Sequence, residues 1–269
     1  MIPKTDFHIH TSFCDGLNTP EQIVNAAIEK NFSAIGFTGH SYTSFDVSYC
    51  MSKENTKSYF DTVNRLKYKY EDKIDIFCGI EQDFYAEAKE LPFEYTIGSV
   101  HYIKVGDRYL AIDDNAQATS KIIDECFFGD FDAFAKEYFY TVKNVIEKTN
   151  ADIIGHFDVI LKYKHGLNLK ESDTYLEYAF NALDELIKYN KPFEINVGAV
   201  NSGYRNSPYP SVSILKEIKR LGGKIIITGD CHNEQNLGKN FDFAVSYAKA
   251  AGFKKAEILT NEGFKEILI

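Results

Sequence analysis

The sequence contains no long apolar run, and this absence narrows the class of protein. No stretch of about 18 or more apolar residues occurs, so no transmembrane helix is expected. The first residues, Met-Ile-Pro-Lys-Thr-Asp, lack the apolar segment of a signal peptide. We therefore expect a cytoplasmic protein without a membrane partner.

Cysteine is scarce and shows no pattern. The five cysteines form an odd number without CxxC spacing, at Cys14, Cys50, Cys78, Cys126 and Cys231. A disulfide framework or a zinc ribbon is therefore not expected, and reduced thiols are the default in a cytosolic enzyme. Cys14 and Cys231 each stand beside a candidate ligand, so either could line a site, but small buried side chains are the favoured interpretation.

Positive charge is in deficit. Lysine and arginine total 30 against 39 aspartate and glutamate residues, which gives a net charge of −9 and a pI near 5.3. This balance argues against a protein that wraps nucleic acid or binds a membrane through basic residues. A small local basic pocket for an anion remains compatible with it.

The sequence is rich in an alternation of short apolar runs with helical patterns. Strands are predicted at Thr5–His10, Ala34–Gly39, Ile74–Glu81, Thr96–His101, Asp152–His156, Phe193–Val197 and Lys224–Asp230. One helix begins at Thr19-Pro20, a cap followed by proline at the first helical position. Other helices cover about 55–71, 131–149, 172–189, 211–221 and 240–251.

This alternation is typical of a parallel α/β sheet, either a barrel or a doubly wound fold. Seven strands with near-regular helices favour a barrel, and the length of 269 residues suits a single barrel domain of about 250 residues. We predict one domain over residues 1–269. Ala256–Thr260 either adds an eighth strand or closes the fold.

Two predicted connections are unusually long. Residues 41–54 contain Tyr42, Phe45 and Tyr49, and residues 102–130 contain several charged side chains. Long connections in a compact domain are functional or disordered. Their aromatic content favours functional lids that cover a site rather than disordered segments.

Polar side chains collect where the predicted strands end. Six of the seven histidines lie at or just after a strand end, namely His8, His10, His40, His101, His156 and His232. Glu81 and Asp230 close two of the strands. The carboxyl ends of barrel strands open on one face, so these residues are expected to converge there.

The spacing of His8 and His10 indicates a metal site. Residues two apart on a strand point to the same side, and Asp15 follows in a turn. Imidazole suits zinc, iron or manganese, and carboxylates can bridge two ions. A lone histidine at a strand end is more often a satisfied polar residue, but the whole set favours a metal. His165, in a Lys-Tyr-Lys-His-Gly segment, is interpreted as a solvated loop residue.

These segments resemble the motifs of the PHP (polymerase and histidinol phosphatase) family, in the family's order. The matching segments are Asp6-Phe-His-Ile-His-Thr-Ser-Phe-Cys-Asp-Gly16, Gly36-Phe-Thr-Gly-His-Ser41, Gly79-Ile-Glu81, Gly98-Ser-Val-His101, Gly155-His-Phe-Asp158 and Gly229-Asp-Cys-His232. The resemblance implies a distorted (β/α)7 TIM-like barrel. The chain length, without a polymerase module, resembles the stand-alone histidinol-phosphate phosphatases of histidine biosynthesis.

The resemblance also implies about three divalent metal ions, of zinc, iron or manganese. One set of ligands would be His8, His10, Glu81 and Asp230. A second would share Glu81 with His101 and His156. The third would be Asp15, His40 and His232. Many members of the family have histidine where this chain has Asp15, whereas the histidinol-phosphatase branch often has aspartate.

A cluster of cations without a nucleophilic serine or cysteine points to hydrolysis by activated water. Its positive charge suits a phosphate monoester dianion better than a neutral amide, which favours a phosphatase over a peptidase or deaminase. The expected step is in-line attack on phosphorus by a metal-bridging hydroxide. Asp230 or His232 could assist the leaving alkoxide.

The substrate is expected to be small, with L-histidinol phosphate implied by the resemblance. Its phosphate would be contacted by His40, Lys162 and Arg205, the last on a rim loop after the sixth strand. Its amino-imidazole end could meet residues near strand ends, which could equally orient ligand histidines: Asp83, Glu194, Tyr42 and Tyr102.

Two alternatives remain open. One is another PHP-type phosphoesterase that acts on a nucleotide or a different small monoester. The other is a metal-binding protein without catalytic activity, against which the complete set of ligands argues. A nucleic-acid polymer is not expected as a partner, because phosphate contacts drive that binding and the chain is acidic.

Overall fold

The computed structural model describes residues 1–269 and contains eleven strands and ten α-helices. The strands are β1 (Thr5–Asp6), β2 (Ala34–Phe37), β3 (Asp75–Asp83), β4 (Tyr95–Ser99), β5 (Tyr102–Val105), β6 (Arg108–Ala111), β7 (Ile153–Ile154), β8 (Phe193–Asn196), β9 (Ile225–Thr228), β10 (Lys255–Thr260) and β11 (Gly263–Leu268). The helices are α1 (Pro20–Glu29), α2 (Lys53–Lys69), α3 (Ala116–Phe127), α4 (Phe131–Val142), α5 (Val145–Thr149), α6 (Lys164–Leu167), α7 (Asp173–Leu186), α8 (Gly198–Asn201), α9 (Val212–Arg220) and α10 (Phe241–Ala250).

The fold is mixed α/β with a mostly parallel sheet. Nine strands form one sheet in the order β1-β2-β3-β4-β7-β8-β9-β10-β11, and only β11 runs antiparallel to its neighbour. All seven predicted strands are present in this sheet, and the predicted run Ala256–Thr260 forms most of β10. The strand β11, which pairs with β10 throughout its length, was not predicted.

The segment after β1 pairs with the segments that follow β2 and β9. Thr38, which follows β2, donates its amide to the Ile9 carbonyl at 2.9 Å. On the other side, Ile9 forms an isolated parallel bridge with Cys231, which follows β9. The Cys231 amide donates to the His8 carbonyl, and the His10 amide donates to the Cys231 carbonyl, each at 2.9 Å. The chain around His8 and His10 is therefore held from two sides.

The prediction of a long loop over residues 102–130 was wrong. Strands β5 and β6 form a hairpin there, with a turn at Gly106, whose φ is +60°. Helix α3 follows and buries Thr119, Ile122 and Ile123, which have helical spacing. The predicted helix 131–149 is divided into α4 and α5 around Asn144.

Other local signals were read correctly. Thr19 caps α1 and accepts a hydrogen bond from the Gln22 amide, while the Gln22 side chain accepts one from the Thr19 amide. This reciprocal pair satisfies two amides that the first helical turn leaves free. No helix combines the length and the apolar character needed to cross a membrane.

A small second core lies apart from the main one and contains Tyr95. Its eight buried members lie in or directly after seven strands of the sheet, namely Phe7, Ala34, Phe77, Tyr95, Ile97, Ile153, Ile226 and Leu259. The Tyr95 hydroxyl donates to the Phe7 carbonyl at 2.8 Å. Gly36 and Gly79 lie against the Tyr95 ring, and a Cβ at either position would overlap it.

Gly79→Ala is expected to lower the free energy of unfolding by about 1–3 kcal/mol, because an added methyl group must displace the fully buried Tyr95 ring. Urea denaturation measures this change. Gly166→Ala is the matched control, since no atom lies within 4 Å of a Cβ at that position. Equal stability of the Gly79→Ala and wild-type proteins would contradict the packing described for Tyr95.

Candidate metal centre

The predicted ligands lie at the carboxyl ends of the parallel strands. His8 and His10 follow β1, His40 follows β2, Glu81 lies in β3, His101 follows β4 and His156 follows β7. Asp230 and His232 follow β9, and Asp15 lies in the turn after β1. The structure brings all nine together, because parallel strands present their carboxyl ends at one edge.

Glu81 lies at the centre of the cluster and is 1% exposed. The Ser99 hydroxyl donates to its Oε1 at 2.7 Å. Five imidazoles surround its two oxygens, at His40 Nδ1 2.8 Å, His156 Nε2 3.0 Å, His8 Nε2 3.4 Å, His101 Nε2 3.4 Å and His10 Nε2 3.5 Å. A single carboxylate thus contacts side chains from four other segments.

Two further carboxylates flank this centre. Asp230 Oδ1 lies 3.3 Å from His10 Nε2, 3.5 Å from His232 Nδ1 and 3.6 Å from His8 Nε2. The oxygens of Asp15 lie 3.3 Å from His232 Nε2, 3.6 Å from His40 Nε2 and 3.8 Å from His10 Nδ1. Asp15 is the most exposed of the three, with 34% of its side chain accessible.

The backbone at Asp230 is strained in a way that aims its side chain. Its φ of 49° lies in the left-handed region, which non-glycine residues seldom adopt. A Cβ on Gly198 would lie 2.8 Å from the Asp230 Cβ, so glycine is required opposite it. Such conformations persist where the surrounding structure enforces them, commonly at functional sites.

The residues fit divalent metal ions. Three groups of ligand atoms lie within 4.8 Å of one another: His10, Asp15, His40 and His232; His8, His10 and Asp230; and His40, Glu81 and His101. Buried His8 Nε2, His10 Nε2 and Glu81 Oε2 have no hydrogen-bond partner. Buried polar atoms without partners are costly, and coordination of a cation would satisfy them.

The grouping differs in detail from the three predicted ligand sets. His10 belongs to two of the groups, as does His40. His156 belongs to none, although its Nε2 lies 3.0 Å from Glu81 Oε1. The two-residue spacing predicted that His8 and His10 share an ion, and the group with Asp230 contains both. The other group of His10 depends on the turn at Asp15, whose path the sequence does not specify.

Burial and neighbouring charge set the protonation of the cluster. Burial, with the nearby charges of His232 and His40, lowers the pKa of His10 to about 3, so its imidazole is neutral. Burial opposes ionisation of Glu81, but His8, His40 and His101 hold its pKa well below the usual range. His10 and Glu81 are therefore in the forms that ligate a cation, a neutral imidazole and an ionised carboxylate. The pKa values of His8, His40 and His101 are raised instead, because nearby carboxylates outweigh the effect of burial.

The cluster forms the floor of a cavity of about 450 Å³. Its lining includes Asp15, His40, Glu81, His101, His156, Asp230 and His232. Aromatic side chains from several loops form the walls, namely Tyr49, Tyr102, Tyr204 and Tyr209. This volume suits a small ligand rather than a polymer.

Of the two cationic side chains predicted to contact phosphate, Lys162 lines the cavity and Arg205 does not. Lys162 lines the cavity, and its ammonium group donates to the Asp113 carbonyl at 2.8 Å and the Asp113 carboxylate at 3.1 Å. Arg205 is 4% exposed and does not line the cavity. Its guanidinium stacks 4.3 Å from the Tyr209 ring centroid and lies 3.9 Å from Asp158.

Some residues of the site could not be singled out from the sequence. Asp113 lines the cavity and pairs with Lys162 across 49 positions of chain. The ring centroid of Tyr49 lies 4.8 Å from that of His40 in an edge-to-face arrangement. Both Asp113 and Tyr49 lie in the long connections, where the only signals were aromatic residues in 41–54 and charged residues in 102–130. His165 is exposed, as predicted, but it lies in helix α6 rather than in a loop, where it contacts Asn206.

Comparison with known proteins identifies the class to which this fold and site belong. The profile of the PHP domain matches residues 6–198. The chain belongs to the PHP domain family.

Particular relatives are histidinol-phosphatases. The enzyme of Lactococcus lactis is 29% identical, over 98% of this chain and 96% of that protein. The enzyme of Bacillus subtilis is 23% identical, over 90% of this chain and 98% of that protein. A solved structure, histidinol phosphate phosphatase of Lactococcus lactis complexed with zinc, L-histidinol and phosphate, has a TM-score of 0.72 and 23% identity and covers 98% of this chain and 100% of that chain.

Asp15→Asn is expected to lower the number of bound divalent ions by about one per chain, because an amide contributes no charge to the ligand group His10, His40 and His232. Metal analysis of the purified chain measures this number. Asp114→Asn, which alters an exposed aspartate at the cavity wall, is the control. Equal metal content in Asp15→Asn and wild-type protein would remove Asp15 from the ligands.

Proposed function

We propose that this chain hydrolyses L-histidinol phosphate to L-histidinol and phosphate, with divalent metal ions held at the strand ends. The observation that carries the proposal is the buried Glu81 carboxylate, with five imidazoles within 3.5 Å, at the floor of a small cavity. Near full-length similarity to histidinol-phosphatases supports the choice of substrate.

The proposal includes about three ions, of zinc, iron or manganese. Their ligands are His8, His10, Asp15, His40, Glu81, His101, His156, Asp230 and His232. The three ligand groups support more than one ion, since His10 and His40 each belong to two of them. The zinc in the Lactococcus lactis structure supports a borderline divalent metal.

We also propose that the parallel strands close into a distorted (β/α)7 barrel and that residues 1–269 form one domain. The bridge between Ile9 and Cys231 and its two hydrogen bonds support closure, because they link the segments that follow β1 and β9. Closure would place all nine ligands around one rim.

Bound divalent ions supply Lewis acidity and lower the pKa of water to about 7. The protein's own groups then position and neutralise the phosphate. His40 and Lys162 line the cavity and would contact its oxygens. Arg205 stacks on Tyr209 outside the lining, so its contact with phosphate requires the Tyr209 ring to move.

Protonation of the leaving alkoxide falls to Asp230 or His232 in this proposal. Both line the cavity, and His232 is the more accessible, with 37% of its side chain exposed against 20% for Asp230. Burial lowers the pKa of His232, but Asp15 and Asp230 raise it overall. A protonated imidazole can donate to the alkoxide but cannot ligate a metal ion, so the role of His232 as general acid excludes its role as ligand in that step.

The wild-type chain is expected to release phosphate from L-histidinol phosphate faster than from glycerol phosphate or a nucleoside monophosphate, with manganese or zinc supplied. His101→Ala is expected to lower kcat/KM roughly 100-fold, because loss of a ligand removes several kcal/mol of charge stabilisation. His165→Ala, on the surface, should retain wild-type activity. Equal turnover of all three esters would reject the assigned substrate.

Lys162→Gln is expected to raise KM for L-histidinol phosphate about tenfold, because a charged hydrogen bond to phosphate is worth roughly 1.5–3 kcal/mol. Steady-state phosphate release measures the effect. Lys191→Gln is the matched control, since Lys191 forms a similar ion pair with Asp152 at 2.9 Å outside the cavity lining. An unchanged KM in Lys162→Gln would mean that Lys162 only holds Asp113.

A further inference from the structure

Beneath the metal centre, four hydrogen-bonding groups converge on the carboxylate of Glu194. Glu194 lies in β8, is fully buried and does not line the cavity. Its Oε1 lies 2.5 Å from His8 Nδ1 and accepts from the Thr228 hydroxyl at 2.6 Å. Its Oε2 accepts from the His156 amide at 2.7 Å and from the Asn196 side chain at 3.0 Å.

The contact with His8 decides which of its ring nitrogens carries the proton. A carboxylate accepts hydrogen bonds, so Nδ1 of His8 must be the donor at 2.5 Å. A metal ion binds only the neutral ring, in which the proton stays on Nδ1 and Nε2 has a free lone pair. This Nε2 is buried without a partner and lies 3.4 Å from Glu81 and 3.6 Å from Asp230. The lone pair is therefore directed at the metal centre.

The other oxygen of Glu194 ties the same carboxylate to two further ligand segments. The His156 amide belongs to the segment that follows β7. The Asn196 amide group is shared, because its nitrogen also lies 3.1 Å from Asp230 Oδ2. Asn196 Oδ1 accepts from the Gly198 amide at 2.8 Å, which fixes the orientation of the amide group. Glu194 thus contacts, directly or through Asn196, three of the ligand segments.

We propose that Glu194 is a positioning residue that fixes the Nδ1-protonated tautomer of His8 and so prepares Nε2 to bind a divalent metal ion. The inference rests on the proposed function only in that the site binds such ions. Carboxylates that hold a ligand histidine in this way affect metal affinity about 10- to 100-fold. Glu194 itself does not line the cavity, and it contacts Nδ1 of His8 rather than the Nε2 that faces the metal centre.

Glutamine cannot replace Glu194 in this arrangement. All four neighbours act as donors, whereas glutamine offers one accepting oxygen and one donating amide nitrogen. If the amide faces His8, it donates to Nδ1 and moves the ring proton to Nε2, which then cannot bind a cation. If it faces His156 instead, it opposes a backbone amide that has no other partner at that position.

The test measures zinc affinity of the full chain after metal removal, by competition with a chromophoric chelator. Glu194→Gln is expected to weaken at least one zinc site about 10- to 100-fold. Glu257→Gln is the control, because Glu257 is another buried strand carboxylate, paired with Lys224 at 3.4 Å on β10. It should leave the zinc affinities unchanged. The melting temperature of the metal-free proteins monitors folding separately.

A double variant separates positioning from a general loss of stability. In the His8→Ala background, Glu194→Gln should cause a smaller further loss of zinc affinity than in wild type, because Glu194 acts through His8. Additive losses would overturn the proposal, as would wild-type zinc affinities in Glu194→Gln. If Glu194→Gln does not fold, Thr228→Val and Glu194→Asp take its place. The first removes the hydroxyl that holds Oε1, the second draws the whole carboxylate away from His8, and unchanged affinity in both would also overturn the proposal.

Activity is measured separately on the same proteins. A wild-type chain that binds zinc but does not hydrolyse L-histidinol phosphate would reject the proposed substrate. The zinc affinities of the variants would still test the role of Glu194. A wild-type chain that binds no zinc or manganese would reject both.

Discussion

Crowding of imidazoles around one buried carboxylate is the constraint on which the rest of the site depends. Glu81 is almost inaccessible to solvent, and His8, His10, His40, His101 and His156 all lie within 3.5 Å of it. In water such a cluster would disperse, because desolvated ligand atoms without partners cost free energy. The cluster persists because each imidazole is fixed to a strand end. The free energy gained by folding the sheet offsets the cost of bringing the imidazoles together.

The positions of the strands and the gathering of the candidate ligands at one edge were predictable, because both depend on local pattern and one topological rule. Apolar runs marked the strands, and parallel pairing then placed His8, His101 and Asp230 at one edge. The hairpin β5–β6 and strand β11 were missed. Their alternation is weak, and pairing with a neighbouring strand rather than a continuous apolar run stabilises them.

Contacts between distant segments were beyond the reach of sequence patterns. Asp113 with Lys162, and His8 with Glu194, meet only after the strands have assembled. The charge of Arg205 suggested a role in binding phosphate, but its burial behind Tyr209 depends on the path of the loop after α8. Residue type and position at a strand end therefore predicted which residues gather at this edge of the sheet. The packing of distant segments determines which of their atoms face one another.

The bridge between Ile9 and Cys231 joins a segment that is synthesised early with one that is synthesised late. Asp6 and Gly229, hydrogen-bonded at 2.9 Å, are 223 positions apart. Ligands flank this contact on both sides, so a nascent chain that still lacks its last strands holds only part of the cluster. The complete cluster must therefore wait until Asp230 and His232 have left the ribosome, although the group His40, Glu81 and His101 is made earlier. A cation held by His8, His10 and Asp230 would link the segments that follow β1 and β9. Because such distant pairings carry a loop-closure cost that slows folding, we expect the site to be completed late in maturation.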